Sequence, residues 1–225
     1  MEHPIHVFYV KIPQIPIPRL TPYLSILDEE EKCVFHRYKV DHKKVEFLLG
    51  RLLLKGVLAK KLRVSPHEIA FSKNEYGKLF LIQNSEPAIH FNLSHTKGLL
   101  ACVVTKGVEV GIDVEGTEED HLEVMKTVFV DQEISYIQNQ KDLQHQKEAF
   151  YLIWTRKEAV MKAIGKGFSL PPLSFSVPVD RNHDNAFTYF TDTPTEGFLL
   201  SCAIKETAIE PNWCIQEVLW GELLD

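Results

Sequence analysis

The order of elements in the first hundred residues recurs in the second hundred, which constrains the chain to a duplicated fold. The first half opens on a strand, "HVFYVKI", followed by the proline-rich connector "PQIPIPRLTP" (13–22). Two helical stretches follow, "LDEEEKCVFHRYK" (27–39) with Asp28 as N-cap, and "KVEFLLGRLLLKGVLAKKL" (44–62). The strands "IAFSK", "KLFLI" and "IHFNLS…LLACVVT" close the half, the last one folding into a hairpin at "HTKG". From residue 107 the strand "VEVGIDVE" leads into helical "LEVMKTVFVDQEISYIQNQ" and the long helix "HQKEAFYLIWTRKEAVMKAIGK". The strands "SFSVPV", "AFTYFTD" and "FLLSCAIKE" then follow. Even the last apolar runs match, "LLACVV" at 99–104 and "LLSCAI" at 199–204. The expectation is an α+β fold with a pseudo-two-fold duplication. Its halves, 1–106 and 107–225, would each pack helices on a small, mostly antiparallel sheet. A ligand cleft is expected where such halves meet.

Composition removes several classes of function. A net charge of −6 is the wrong sign for a nucleic-acid footprint. No apolar run approaches the roughly 18–20 residues of a membrane span, and an acid at position 2 argues against a signal peptide. Cys33, Cys102, Cys202 and Cys214 lack CxxC spacing, and two of them sit in apolar strand-like runs. This pattern suits buried thiols in a reducing, cytoplasmic compartment better than zinc ligands.

"VEVGIDVEG" (108–116) carries the first chemical signal. Alternation sends Val108, Val110, Ile112 and Val114 to one face and Glu109, Asp113 and Glu115 to the other. Gly111 leaves the second face open just before two adjacent acids. In the long helix, Phe150, Ile153, Trp154, Val160, Met161 and Ile164 make an apolar stripe, with Glu158 and Lys162 as i,i+4 neighbours on its flank. Lys157 falls inside that stripe, where an unpaired ammonium is costly, so it must meet an anion or reach solvent. Arg156, Lys157, Lys162 and Lys166 form a cationic patch on an acidic chain, which suggests a polyanionic ligand. In "IHFNLSHTKG", His90, Asn92 and Ser94 share the polar face, with His95 at the corner. "KNEYGK" (73–78) is a turn carrying Lys73 and Lys78.

Taken in order, "YGK … FNLSH … GIDVE … WTRKEAVMKAIGKG" resembles the 4′-phosphopantetheinyl transferase superfamily, in its larger two-half form that activates peptide and polyketide synthetases. The resemblance implies coenzyme A as donor, Mg2+, and a serine of an acyl or peptidyl carrier protein as acceptor, in a monomeric enzyme. It further implies that Asp113, Glu115 and Glu158 hold the metal, that Glu158 takes the serine proton and that Lys162 offsets phosphate charge. Asn92, Ser94, His95 and Lys78 would touch the coenzyme. Lys32 would meet its 3′-phosphate, with Arg37 as the rival because the stretch before "LLGR" is two residues longer than the family pattern. Glu133 matches the family's helix acid without a role, and Lys157 has none assigned. Lys166, Phe168 and Leu170 would face the carrier. Two alternatives stay open at this point: a Mg2+-dependent phosphohydrolase or nucleotidyl transferase using the same acids, and a non-catalytic coenzyme A-binding module.

Overall fold

Two strands are buried on both faces, and the rest of the molecule is arranged around them. In the computed structural model, which describes residues 4–82, 87–205 and 211–223, every residue of Leu99–Thr105 is buried, as are Leu200–Ile204. These runs show no alternation because each lies at the centre of a sheet that is covered on both sides. In chain order the strands are β1 (Ile5–Lys11), β2 (Phe71–Lys73), β3 (Leu79–Leu81), β4 (Ile89–Thr96), β5 (Leu99–Lys106), β6 (Val110–Gly116), β7 (Phe187–Asp192), β8 (Phe198–Lys205) and β9 (Trp213–Glu217). The α-helices are α1 (Ile17–Leu20), α2 (Glu29–Arg37), α3 (Asp41–Leu62), α4 (Met125–Val128), α5 (Asp131–Gln138) and α6 (Leu143–Ile164), with short 3-10 turns between elements.

Among the described residues the first sheet has the order β4-β5-β1-β9 and the second β6-β8-β7, while β2 and β3 form a separate ribbon. Pairing is antiparallel except between β1 and β9. The two sheets meet face to face. Val7, Ala101 and Val103 of the first share a core with Val110, Ile112, Val114 and Cys202 of the second. Helix α3 covers the outer face of the first sheet through Leu53, Leu54 and Leu58 against Leu100, Cys102 and Val104. Helix α6 covers the outer face of the second through Ile153, Ala159 and Val160, in a core with Tyr189 and Ala203. The result is a four-layer helix–sheet–sheet–helix α+β fold. Asp28 caps α2 reciprocally with Glu31, as its position before a charged helix predicts.

The structure corrects one element. "SFSVPV" (174–179) is expected as a strand but joins no ladder. Pro178 has no N–H, and buried side chains take the neighbouring groups: Lys157 Nζ donates to Phe175 O, Val177 N donates to Glu133 Oε1 at 3.0 Å, and Arg156 Nη1 donates to Pro178 O at 2.7 Å. The third C-terminal strand is instead β9. It leaves the second half to lie beside β1, where Trp213 stacks on Phe190 of β7 with ring centroids 5.0 Å apart. The C-terminal segment therefore ties the two sheets together at one edge.

Candidate active site

Gly111 governs the approach of α6 to β6. A Cβ built there would lie 2.0 Å from Ala159 O and 2.4 Å from Ala163 N, so the face that glycine leaves open is filled by the helix backbone itself. This contact carries Glu158 and Lys162 onto the strand's acidic face. Lys162 Nζ donates to Asp113 Oδ1 at 2.6 Å and to Ser94 Oγ at 2.8 Å, and Ser94 Oγ donates to the same Asp113 oxygen at 3.0 Å.

Asn92 and Ser94 also close a gap between sheets. Strand β6 is the edge of the second sheet, and β4, the edge of the first, sends side chains to its free amides. Ile112 N donates to Asn92 Oδ1 at 3.2 Å and Val114 N to Ser94 Oγ at 3.3 Å. The polar alternation of β4 thus supplies hydrogen bonds that a strand neighbour would otherwise make.

Two carboxylate oxygens in this cluster are buried without a partner, Asp113 Oδ2 and Glu158 Oε1. Such groups are costly to bury unless something offsets their charge. Burial first, then the negative charges of Asp113 and Glu115, pushes the Glu158 carboxyl up to about 7, against the pull of Lys162. Burial and Asp113 likewise raise Glu115, although Trp154 Nε1 donates to its Oε1 at 3.4 Å. Among the described residues no three His, Cys, Asp or Glu side chains stand close enough together to form a ready metal cage. The donor set nonetheless suits Mg2+, which takes one or two protein carboxylates and fills its other positions with water and phosphate oxygens.

Two cavities lie near the cluster, the larger touching it at Glu115 and the smaller at Asn92 and His95 on either side of Ser94, while Asp113, Glu158 and Lys162 are not among the described residues lining either. The larger, about 1110 Å3, runs between the connector at 12–15, the start of α3 and the β4–β5 turn on one side and Glu115, Trp154 and Phe198 on the other. The smaller, about 380 Å3, is lined by Lys43, Arg51, Lys73, Lys78 and His95 together with Glu31 and Glu46, so bases outnumber acids there on a protein that is acidic overall. Lys43 and Glu46, paired at 2.7 Å, form the wall common to both cavities. His95 Nδ1 stands 3.5 Å from Glu46 Oε2, and burial lowers its pKa. Lys78 Nζ donates to Ala163 O at the end of α6, and burial lowers its pKa also.

Sequence reading overlooked Lys43 and Arg51. For Arg51 a signal exists: with Lys55 it interrupts the apolar run of α3 and must find an anion. That anion is Glu31, 2.7 Å from Arg51 Nε and 2.8 Å from Lys55 Nζ. Lys32 and Arg37 are not among the described residues lining either cavity; Lys32 Nζ pairs with Glu29 at 2.7 Å. Lys157, wholly buried, meets Glu133 Oε2 at 3.0 Å and donates to Pro172 O and Phe175 O. Both residues are therefore accounted for by structure, since they seat the 171–177 segment against α5 and α6. At the end of α6, Lys166 is exposed and Leu170 half-buried, while the Phe168 side chain lies outside the described residues. All four cysteines are free, Cys102 and Cys202 buried, Cys33 and Cys214 exposed.

Comparison with known proteins agrees with this geometry. Residues 109–215 match the family described as the 4′-phosphopantetheinyl transferase superfamily, and residues 18–107 match "4′-phosphopantetheinyl transferase, N-terminal". The chain is 31% identical over 207 residues to the 4′-phosphopantetheinyl transferase gsp of Aneurinibacillus migulanus, covering 88% of this chain and 85% of that one. It is 36% identical over 157 residues to the 4′-phosphopantetheinyl transferase Sfp of Bacillus subtilis (69% and 67% covered). It is 30% identical over 142 residues to the human L-aminoadipate-semialdehyde dehydrogenase-phosphopantetheinyl transferase (58% and 46% covered). With the family matched across both halves and the cluster of Asp113, Glu158 and Lys162 assembled between β6 and α6, the chain belongs to the 4′-phosphopantetheinyl transferase superfamily and is an enzyme of it.

Proposed function

We propose that the enzyme transfers phosphopantetheine from coenzyme A to a serine hydroxyl of an acyl or peptidyl carrier protein, with Mg2+, releasing adenosine 3′,5′-bisphosphate. The observation that carries this reading is the pair of buried, unpartnered oxygens on Asp113 and Glu158, in the cluster that the ammonium of Lys162 joins through Asp113. Asp113, Glu115 and Glu158 would hold Mg2+, whose role is to offset diphosphate charge. Residues 107–225 would supply this centre and residues 1–106 most of the coenzyme contacts.

The serine oxygen forms a bond to phosphorus as the bond from that phosphorus to the adenosine bisphosphate oxygen breaks, and the serine proton passes to Glu158. A carboxylate is a sufficient proton acceptor where positioning and electrostatics carry most of the work. Lys162, held by Asp113 and Ser94, is aimed to neutralise charge on the leaving oxygens. Lys43, Lys73, Lys78 and His95 would face the phosphates of the coenzyme in the smaller cavity. Asn92 and Ser94 would act mainly by holding β6 in place. Lys32, or its rival Arg37, would meet the 3′-phosphate. The exposed Lys166 suits an acidic carrier surface. Free cysteines on the surface suit the reducing cytoplasm, where the enzyme would work as a monomer.

The decisive experiment incubates the enzyme with coenzyme A, Mg2+ and a set of apo acyl and peptidyl carrier proteins, followed by mass spectrometry. A phosphopantetheine adduct on the carrier serine is expected. Its absence from every carrier would overturn the reading.

A further inference from the structure

The last turn of α6 carries Lys162 and then runs out, and the carbonyls of a helix's last turn need outside donors. Two of them find donors in the β2–β3 hairpin, an element of the other half. Asn74 Nδ2 donates to Gly165 O at 2.8 Å, and Lys78 Nζ donates to Ala163 O. Gly165 sits at φ +73° as the left-handed cap of α6, and a Cβ there would fall 2.5 Å from Lys78 Cδ, so hairpin and helix end are in direct contact. Asn74 organises its own turn as well: its Oδ1 accepts Tyr76 N at 3.0 Å and Lys78 N at 2.9 Å. Its amide therefore spends the acceptor on the hairpin and the donor on the helix. Asn74 is not among the described residues lining either cavity.

On the opposite side the same turn of α6 rests against Gly111, whose α-carbon faces Ala159 O and Ala163 N. The end of the helix is thus gripped between β6 and the hairpin, and Lys162 projects from within the grip onto Asp113.

We propose that Asn74 is a positioning residue: through its bond to Gly165 O it clamps the last turn of α6 and fixes the placement of Lys162 against Asp113. The proposal rests on the transfer reading for its kinetic consequence, but the clamp itself can be measured without turnover. Misplacement of a catalytic group by about 1 Å can cost on the order of a hundredfold in rate, so the clamp is a sensitive point despite its distance from the cavities.

The test is Asn74→Asp in the full chain. Aspartate keeps the acceptor that forms the turn and loses the donor to Gly165 O. Hydrogen exchange, read by mass spectrometry over 159–166, should accelerate in the last turn of α6. Single-turnover transfer to an apo carrier should slow by roughly ten- to a hundredfold at saturating coenzyme A. Half-saturating coenzyme A should stay within about twofold of wild type, because Asn74 positions the helix rather than the ligand. Unchanged exchange overturns the clamp. Faster exchange with an unchanged rate overturns the positioning role, and so does a raised half-saturation at an unchanged rate. Wild-type enzyme that modifies no carrier would defeat the transfer reading instead, leaving the exchange result to decide the clamp. Should Asn74→Asp fail to fold, Gly165→Ala breaks the contact from the helix side and carries the exchange and rate expectations alone, because a Cβ there also displaces Lys78, which faces the coenzyme in the transfer reading.

Discussion

Lys162 lies 2.6 Å from Asp113, the ammonium arriving from the last turn of α6 and the carboxylate from the middle of β6. The other oxygen of Asp113 has no partner. A single salt bridge thus leaves half of the carboxylate's capacity unused in a buried place, beside a second acid, Glu158, in the same condition.

Removing the charge at Asp113 should therefore be felt twice. Asp113→Asn keeps the shape, frees Lys162 and lowers the affinity of the site for a divalent cation. Transfer should fall by at least about 10²-fold, on the scale of losing one preorganised electrostatic group. Circular dichroism should report an intact fold. A near-normal rate at limiting Mg2+ would take Asp113 out of the chemistry.

Glu158 sets a pH dependence with a definite sign. Burial and the neighbouring acids push its carboxyl up to about 7 in the metal-free folded protein, well above the usual carboxylate range, so the native state holds the proton more tightly than the unfolded chain. Stability without metal should then fall as pH rises from about 4.5 through 7. Glu158→Gln mimics the protonated form, and its melting temperature should gain on wild type progressively between pH 5 and 8 in a chelating buffer. The same variant should lose transfer by roughly 10²-fold or more if Glu158 is the base. Parallel melting curves at every pH would show that the carboxyl titrates normally.

The Lys157–Glu133 pair has a stability role, and its predicted signature differs. Lys157→Met leaves the Glu133 carboxylate buried without its cation, which costs about 3–5 kcal/mol. Urea denaturation should show the loss. The residual folded enzyme should keep its coenzyme A half-saturation, and a specific rise in that value would assign Lys157 to the ligand instead.

Gly111 can be separated from an ordinary glycine by comparison with Gly56. Gly111→Ala drives a methyl into the backbone of α6, where no side chain can turn aside, so stability and transfer should both drop. Gly56, inside α3, has nothing within 4 Å, and Gly56→Ala should stabilise by about 0.5–1 kcal/mol. Thermal melts of the two variants check the contrast.

His95 tests the coenzyme assignment. If it faces the 3′-phosphate, His95→Ala should weaken coenzyme A more than dephospho-coenzyme A in a binding titration. Equal weakening would place it at the diphosphate or the pantetheine, and no change would remove it from the site.

Much of this architecture was legible in the sequence because it depends on local periodicity. An unbroken apolar run reads as a strand covered on both sides, and β5 and β8 are such strands. Asp28 reads as a cap from its position before α2, and the acids of "GIDVE" read as one strand face from their spacing of two. Lys157 announced that it must meet an anion or reach solvent, since it falls in the apolar stripe of α6.

The identity of each partner was a different matter. Periodicity states which face of an element is apolar or charged, but not which distant element will arrive against it. Glu133 as the anion for Lys157, Glu31 for Arg51 and Lys55, and the amides of β6 for Asn92 and Ser94 were decided by the packing of layers. "SFSVPV" looked like a strand because its composition is that of one, yet its backbone groups went to buried side chains. Gly111 is the sharpest case: alternation located an open face, and only the arrival of α6, close enough to exclude a methyl group, turned that space into the contact that carries Lys162 to Asp113.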